Sequence, residues 1–262
     1  MGDKNFSGRH VLVTGAGTGI GAAIALAFAR AGARVSLAGR RKTPLEETCA
    51  ALPDGCGLVL DGFDVTKPDA VARGLAHARE KFGPVEILVN NAGEAPSAPF
   101  DKTSLDTWSH TIGVDLTGVF LVTQAVLPDL RAKGRGARVI TVASTAGLKG
   151  YAYVAAYCAA KHGVIGLTRA LALELARTGI TVNAICPGFT DTPLVAQSVE
   201  TIVAKTGRSA DDARRELAKN NPQGRLIDPQ EIADAALWLA SAAAHSITGQ
   251  ALPVAGGEVM AG

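Results

Sequence analysis

The sequence is poor in cysteine and aromatic residues, carries little net charge, and has no long hydrophobic run. Its four cysteines, at positions 49, 56, 158 and 186, show no C-x-x-C spacing, so we interpret them as reduced thiols of a cytoplasmic protein and predict no metal site. Aromatic residues make up only 5% of the chain. Alanine and glycine are abundant instead, which suits helices packed closely on a sheet.

The balance of charge and hydropathy excludes two classes of partner. The net charge is +2 and no dense basic run is present, so no nucleic-acid partner is predicted. No segment reaches the roughly 18–20 uninterrupted apolar residues that span a bilayer. The first ten residues are polar and lack the apolar core of a signal peptide, and we therefore expect neither a membrane span nor secretion.

Strand and helix patterns alternate along most of the 262 residues. This alternation predicts an α/β protein with a doubly wound parallel sheet of about seven strands, a Rossmann fold, in a single domain over 1–262. The strands are predicted at 10–14, 33–39, 57–63, 85–89, 138–143, 180–186 and 250–254. Helices are predicted over 68–82 and within 103–133. A further helix, which carries Tyr157 and Lys161, continues to about 177, and a last helix starts at Pro229, with Pro at its first position. Ligands of such sheets bind at the carboxyl ends of the strands.

A glycine-rich turn, TGAGTGIG, joins the first strand to a helix pattern. Gly15 permits a tight turn, Gly19 lets the backbone approach a pyrophosphate, and Gly21 lets the helix lie close to the strand. The spacing is G-x-x-x-G-x-G rather than G-x-G-x-x-G. Taken alone it is equally consistent with an ordinary strand-to-helix turn.

The end of the second strand indicates which dinucleotide would bind. A site for NAD usually has an acidic residue there for the ribose 2′-hydroxyl, whereas this sequence has Gly39 followed by Arg40. A guanidinium suits a 2′-phosphate, so we predict NADP, with NAD as the alternative. Thr18 adds no second cation, and the alternative interpretation of Arg40 is an ordinary solvated loop charge.

The chain that follows the fifth strand contains three residues that could carry out proton transfer: Ser144, Tyr157 and Lys161. Ser144 ends the strand, and Tyr157 and Lys161 follow at i, i+4 spacing on a predicted helix, which places phenol and ammonium on one face. A free phenol has a pKa of about 10, and a neighbouring ammonium favours the phenolate. An isolated Y-x-x-x-K is more often a packed tyrosine and a solvated lysine, so the motif gains meaning only beside a dinucleotide site.

The alternation breaks between Gly188 and Ile227. Long excursions at the ligand end of a compact domain are usually functional, and we interpret residues 189–225 as a helical lid over the substrate. Its charges nearly cancel, which favours a solvated helix surface over an anion site.

Together these motifs resemble the short-chain dehydrogenase/reductase family over essentially the whole chain: T-G-x-x-x-G-I-G, N-N-A-G, a serine before Y-x-x-x-K, and P-G followed by Thr192. The resemblance implies that Tyr157 is the general acid/base, that Lys161 lowers its pKa and holds the nicotinamide ribose, and that Ser144 orients the carbonyl. It implies a homotetramer. Cofactor-binding residues predicted from the motifs and the resemblance are Gly15, Thr18, Gly19, Ile20, Gly21, Arg40, Asp64, Val65, Asn91, Ala92, Gly93, Tyr157, Lys161, Pro187, Gly188, Thr190 and Thr192.

One residue departs from the family pattern. The family usually has asparagine in the middle of the fifth helix, within an N-L-T-G-like run, where this sequence has Asp115. That asparagine is thought to hold a water that relays protons to the lysine, partly through its backbone carbonyl. Asp115 could keep the carbonyl role while adding a carboxylate near Lys161, so we include it among the catalytic candidates. The alternative is a tolerated substitution.

The substrate is less well indicated. The C-terminal pattern, from P-Q-G-R-L to V-A-G-G, resembles bacterial 3-oxoacyl-thioester reductases of the family. We expect reduction of a 3-oxoacyl thioester, carried on coenzyme A or a carrier protein, or of a similar β-keto or cyclic ketone, with NADPH. The alternatives are a secondary-alcohol or hydroxyacyl-CoA dehydrogenase using NAD, and a cofactor-binding regulator without turnover.

Overall fold

The computed structural model describes residues 6–260, and within this range seven strands form one parallel sheet. The strands are β1 (His10–Thr14), β2 (Arg34–Ala38), β3 (Gly57–Leu60), β4 (Ile87–Asn90), β5 (Arg138–Val142), β6 (Thr181–Pro187) and β7 (Ala251–Val254). Their order across the sheet is β3-β2-β1-β4-β5-β6-β7. The predicted doubly wound parallel sheet is confirmed, and the order reverses between β1 and β4, where ligands of such sheets bind.

Helices cover both faces of the sheet. The α-helices of the described range are α1 (Gly19–Arg30), α2 (Lys42–Ala50), α3 (Pro68–Phe82), α4 (Leu105–Ile112), α5 (Gly118–Lys133), α6 (Ala155–Leu175), α7 (Pro193–Thr206), α8 (Ala210–Ala218) and α9 (Pro229–Ala240). Of these, α1 and α9 pack on one face of the sheet and α3, α5 and α6 on the other.

The side-chain alternation of β1 explains this double covering. Val11 and Val13 point into the core layer that contains Phe28 of α1 and Ile232 of α9, while Leu12 points into the opposite layer. All three β1 residues are fully buried. Because β1 is covered on both faces, its three central residues are all apolar, and they form a short hydrophobic run in the sequence between His10 and Thr14.

The ends of two helices follow the local sequence as predicted. α3 spans Pro68–Phe82, with proline at its first turn. α9 begins after Asp228, whose side chain caps the helix, while the Glu231 side chain accepts the backbone N–H of Asp228 in a reciprocal capping box.

The helix predicted within 103–133 is present over Leu105–Lys133, but it is not α-helical throughout. A π-helical turn, Gly113–Thr117, separates α4 from α5, and the Gly118 N–H donates to the Gly113 carbonyl across five residues. Such turns are frequently found at functional sites. The apolar periodicity of the segment does not reveal it, because one inserted residue shifts the helix face without changing the composition. The turn carries Asp115.

The segment Leu105–Lys133, taken as one run, is long and apolar enough to cross a membrane by length and composition alone. This is weak support for a span, because the buried core helix of a globular domain meets the same criteria. Here α5 packs against α3 and β4.

Candidate active site

A cleft of about 810 Å³ opens along the carboxyl ends of the central strands. Every residue predicted for the site lines it, with one exception. Gly21 lies behind the glycine turn, where its Cα faces the Gly15 carbonyl and the Asn91 side chain. Gly21 thus serves the close packing of α1 on the turn rather than the surface of the cleft.

The turn between β1 and α1 depends on glycine at two positions. Gly15 and Gly19 have φ of +64° and +56°, which L side chains rarely adopt. A Cβ at Gly15 would lie 2.9 Å from the Cα of Ala92. At the start of α1, the Thr18 side chain makes no capping hydrogen bond and the first turn holds no acidic residue. The N-terminus of α1 therefore remains available to an anion such as a pyrophosphate.

Asn91 joins the ends of β1 and β4. Its amide nitrogen donates to the carbonyls of Thr14 and Gly15, at 3.0 and 3.2 Å, and its backbone N–H donates to the Thr14 hydroxyl. These bonds fix the floor of the cleft at the reversal in strand order. The amide nitrogen of Asn91 is thus engaged by the backbone, and its role is to hold the ends of β1 and β4 together.

The opposite end of the cleft carries the charges near β2 and β3. The Asp64 carboxylate accepts from the backbone and hydroxyl of Thr66, at 2.9 and 2.8 Å. Although burial works in the opposite direction, these bonds and the nearby Arg40 guanidinium hold the pKa of Asp64 below its ordinary value. Arg40 itself is exposed on the cleft wall beside Gly39, at a strand end without a carboxylate.

Ser144, Tyr157 and Lys161 come together from β5 and α6. Ser144 follows β5 and caps a short 3₁₀ turn, accepting the Ala146 N–H at 3.1 Å. The Ser144 hydroxyl acts to lower the pKa of the Tyr157 phenol. The Lys161 ammonium lies 5.4 Å from the Tyr157 ring centroid and donates to the Val142 carbonyl at 3.2 Å. The Ser144 hydroxyl, the Tyr157 phenol and the Lys161 ammonium thus line the same cleft.

Asp115 completes this group. Its Oδ1 lies 3.1 Å from Nζ of Lys161, with both side chains almost fully buried, and its Oδ2 accepts the backbone N–H of Glu94 at 3.3 Å. The Oδ1–Nζ contact is an ion pair without good hydrogen-bond geometry, so Oδ1 has no directed donor among the described residues. Gly93 is required beside it, because a Cβ there would lie 2.6 Å from Oδ1.

These charges shift one another's pKa values. Burial raises the pKa of Tyr157 above 10, with Lys161 lowering it and Asp115 raising it. Burial likewise raises the pKa of Asp115, against the opposing effect of Lys161. Burial lowers the pKa of Lys161, but Asp115 and Tyr157 raise it by more. Lys161 lowers the phenol pKa as expected, but burial and Asp115 outweigh it.

The sequence analysis did not identify several residues of the cleft. Tyr151 lines the cleft, and its hydroxyl donates to Glu258 of the C-terminal segment and bonds to the Thr145 hydroxyl at 2.7 Å. The Glu258 side chain is buried and pairs with Lys149 at 3.1 Å, and Glu258 is more than 100 residues distant from Tyr151 in sequence. Tyr151 lies in the sequence between Ser144 and Tyr157, whereas no local signal identifies Glu258. α7 contributes further apolar lining: Leu194, Val195 and Ile202.

The fold and this arrangement define a dinucleotide-binding oxidoreductase. The family described as short chain dehydrogenase matches residues 9–202, and the chain belongs to it. The resemblance stated from the motifs is confirmed, and the protein is an NAD(P)-dependent enzyme that interconverts ketones and secondary alcohols.

The relatives include reductases and dehydrogenases. The chain is 42% identical to a putative ketoacyl reductase of the granaticin polyketide synthase from Streptomyces violaceoruber, covering 94% of this chain and 92% of that protein. It is 38% identical to a D-β-hydroxybutyrate dehydrogenase from Cupriavidus necator, covering 97% and 98%. Among solved structures, a variant of actinorhodin polyketide ketoreductase with NADPH superposes with a TM-score of 0.90 at 37% identity, covering 98% and 99%.

Proposed function

We propose that this enzyme reduces a 3-oxoacyl thioester, or a similar β-keto or cyclic ketone, with NADPH. The observation that carries the proposal is the convergence of Ser144, Tyr157 and Lys161 on one wall of a cleft whose other end is the glycine turn. A proton donor and a dinucleotide-binding turn within one cleft is the arrangement that carbonyl reduction requires.

The residues present fit a nicotinamide dinucleotide. The N-terminus of α1 and the turn at Gly15 and Gly19 would hold the pyrophosphate, and Asp64 and Val65 would flank the adenine. Lys161 and Tyr157 would hold the nicotinamide ribose. When bound, the cofactor supplies or accepts the hydride.

The protein's own side chains then handle the substrate oxygen. The Ser144 hydroxyl donates a hydrogen bond that positions the carbonyl, without changing its own charge. In the reducing direction Tyr157 donates its proton to that oxygen as negative charge develops there, and in the oxidising direction it accepts the proton back. The Lys161 ammonium stabilises the resulting phenolate.

Arg40 supports NADP over NAD. It lines the cleft at the end of β2, and the preceding position is Gly39 rather than an acid that would bind the 2′-hydroxyl. A guanidinium matches a 2′-phosphate in charge and geometry.

The substrate end of the cleft supports a ketone with apolar substituents. We propose that residues 189–225, which contain α7 and α8, form a lid, because Leu194, Val195 and Ile202 of α7 line the cleft. Several relatives are named as ketoacyl or acetoacetyl-CoA reductases, which supports a thioester carried on coenzyme A or a carrier protein.

A second candidate is the oxidation of a secondary alcohol with NAD. Two relatives support it, the hydroxybutyrate dehydrogenase above and a cis-4-hydroxycyclohexanecarboxylate dehydrogenase of Sinomonas cyclohexanicum at 41% identity. The site is chemically reversible, so only kinetics separate the two candidates.

We also propose a cytoplasmic homotetramer. The four cysteines are all free thiols, and large apolar side chains such as Trp108 and Phe120 are partly exposed on α4 and α5. Light scattering of the purified protein tests the assembly.

The test of function is a substrate panel measured with both cofactors. We expect NADPH consumption with acetoacetyl-CoA or cyclic diketones, at a kcat/KM at least about tenfold above the value with NADH. Faster NAD reduction with hydroxybutyrate or cyclohexanols would favour the second candidate. Tight cofactor binding without turnover on any substrate would instead indicate a regulator.

A further inference from the structure

The Lys161 ammonium has a buried counter-ion on the side away from Tyr157. Nζ of Lys161 lies 3.1 Å from Oδ1 of Asp115, and the two side chains are 4% and 0% exposed. At this depth the attraction between opposite charges is only weakly screened. The ammonium therefore cannot act on Tyr157 as an isolated positive charge.

The π-helical turn fixes this contact. Asp115 lies in the turn Gly113–Thr117, which packs against α4, α5 and α6. The Glu94 N–H holds the second carboxylate oxygen at 3.3 Å. The carboxylate is thus anchored from two sides and is not a mobile surface group.

The other ionisable groups around the pair are few. Tyr157 is faced by Lys161 and Cys158 of its own helix and by Asp115 of the π-helical turn. Asp115 is faced by Lys161 and by Glu94 from the loop after β4.

Two further ionisable groups, the Cys186 thiol and the His110 imidazole, neighbour members of this cluster. Lys161 is also faced by the Cys186 thiol of β6. The Glu94 carboxylate pairs with the exposed His110 of α4 at 2.7 Å. Within the described residues, Asp115 and Glu94 are the carboxylates of this group, and Asp115 is the one in contact with the ammonium.

We propose that Asp115 is the buried counter-ion of Lys161 and keeps Tyr157 protonated around neutral pH, so that the free enzyme is poised for ketone reduction rather than alcohol oxidation. This rests on the proposed acid/base role of Tyr157. Reduction requires the neutral phenol as proton donor, and oxidation requires the phenolate as acceptor. A neutral amide at position 115 would leave the ammonium unopposed and favour the phenolate. Asp115 is therefore a positioning residue that acts through Lys161.

The first test titrates Tyr157 directly. The near-ultraviolet tyrosinate absorbance of the cofactor-free protein is followed with pH, and the same curve for Tyr157→Phe is subtracted. Circular dichroism at each pH restricts the comparison to folded protein. We expect a midpoint at or above about 10, the ordinary value of a phenol. A midpoint clearly below 10 would overturn the proposal, whatever the enzyme's activity.

The second test replaces the carboxylate by an amide. In Asp115→Asn we expect the tyrosinate midpoint, and the pH at which kcat/KM for oxidation rises, to move down by about one unit. Asp129→Asn is the matched control, since Asp129 is a largely buried carboxylate paired with Arg79 at 2.9 Å outside the cleft. It should leave both profiles in place.

The outcomes separate this proposal from the proposed function. A fall in kcat with an unmoved profile in Asp115→Asn would mean a merely structural role and would refute the counter-ion. If Tyr157→Phe retained activity while the tyrosinate midpoint still moved in Asp115→Asn, the acid/base assignment would fail and the counter-ion would stand. If Asp115→Asn did not fold, the wild-type midpoint alone would decide.

Discussion

The Lys161 ammonium and the Asp115 carboxylate form an ion pair of 3.1 Å beneath the active-site cleft, almost wholly removed from solvent. Removing one member of a buried ion pair leaves the other charge buried without a counter-ion. We expect Lys161→Met to destabilise the protein at neutral pH by about 3–5 kcal/mol, measured as the free energy of urea unfolding.

The pH dependence of that loss has a defined sign. Without the ammonium, burial raises the folded-state pKa of Asp115 further above 3.8, so the folded protein takes up a proton before the unfolded chain does. The penalty should therefore shrink as pH falls toward 3.8. The double variant Lys161→Met/Asp115→Asn should recover much of the loss at neutral pH, and additive losses would show that the pair is not coupled.

Gly21 tests the packing of the glycine turn. A Cβ at this position would overlap the Gly15 carbonyl and the Asn91 amide, so Gly21→Ala should cost about 1–3 kcal/mol and weaken cofactor binding. Gly166, within α6, has nothing within 4 Å of a Cβ. Gly166→Ala should stabilise by about 0.5–1 kcal/mol. Equal effects in the two variants, measured by thermal unfolding and cofactor titration, would contradict the geometry.

Arg40 tests the choice of cofactor. Arg40→Asp removes a guanidinium and adds a carboxylate able to bind a ribose hydroxyl, so the ratio of NADPH to NADH affinity should fall at least about tenfold. Lys67→Asp makes the same change of charge at an exposed position outside the cleft. It should leave the ratio nearly unchanged. Unaltered NADPH affinity in Arg40→Asp would show that another group holds the 2′-phosphate.

His10 couples stability to pH away from the site. Its Nδ1 donates to the Gly83 carbonyl at 2.7 Å, and Nε2 lies 2.9 Å from the Ser36 hydroxyl. Burial lowers the pKa of His10 below 6.5, so the unfolded chain binds its proton more readily than the folded protein. The contribution of His10 to the free energy of unfolding should therefore be complete above pH 6.5 and be lost progressively as the pH falls below it.

The matched comparison for His10 uses an exposed histidine. His10→Gln should flatten the dependence of the urea unfolding free energy on pH below 6.5, whereas His77→Gln, at an exposed position, should not. Identical slopes in the two variants would assign the acid sensitivity to other groups.

Local patterns predicted much of the fold. β1 and α3 have the predicted bounds because a doubly covered strand has a near-continuous apolar run at its centre and because Pro68 marks a helix start. The strand-end positions of Gly15, Asn91 and Ser144 follow from alternation, since the carboxyl ends of parallel strands share one edge.

Other features depended on contacts that no local pattern encodes. The π-helical turn at Gly113–Thr117 and the bond between Tyr151 and Glu258 arise from tertiary packing. Asp115 was identified by its departure from a family motif, but its pairing with Lys161 required coordinates. The same contact shows why spacing alone overstated the effect of Lys161 on the phenol: burial and a second charge act in the opposite direction.

The most direct test of the account is the turnover of Tyr157→Phe with NADPH and the best ketone of the panel. Removing the phenolic hydroxyl deletes the proposed proton donor while leaving the ring in place, so kcat should fall by about 10²–10⁴-fold with NADPH affinity nearly unchanged. Tyr151→Phe offers a contrast, because loss of its bond to Glu258 should act mainly on KM. Wild-type turnover in Tyr157→Phe would contradict the central claim that this phenol exchanges the proton of the reaction.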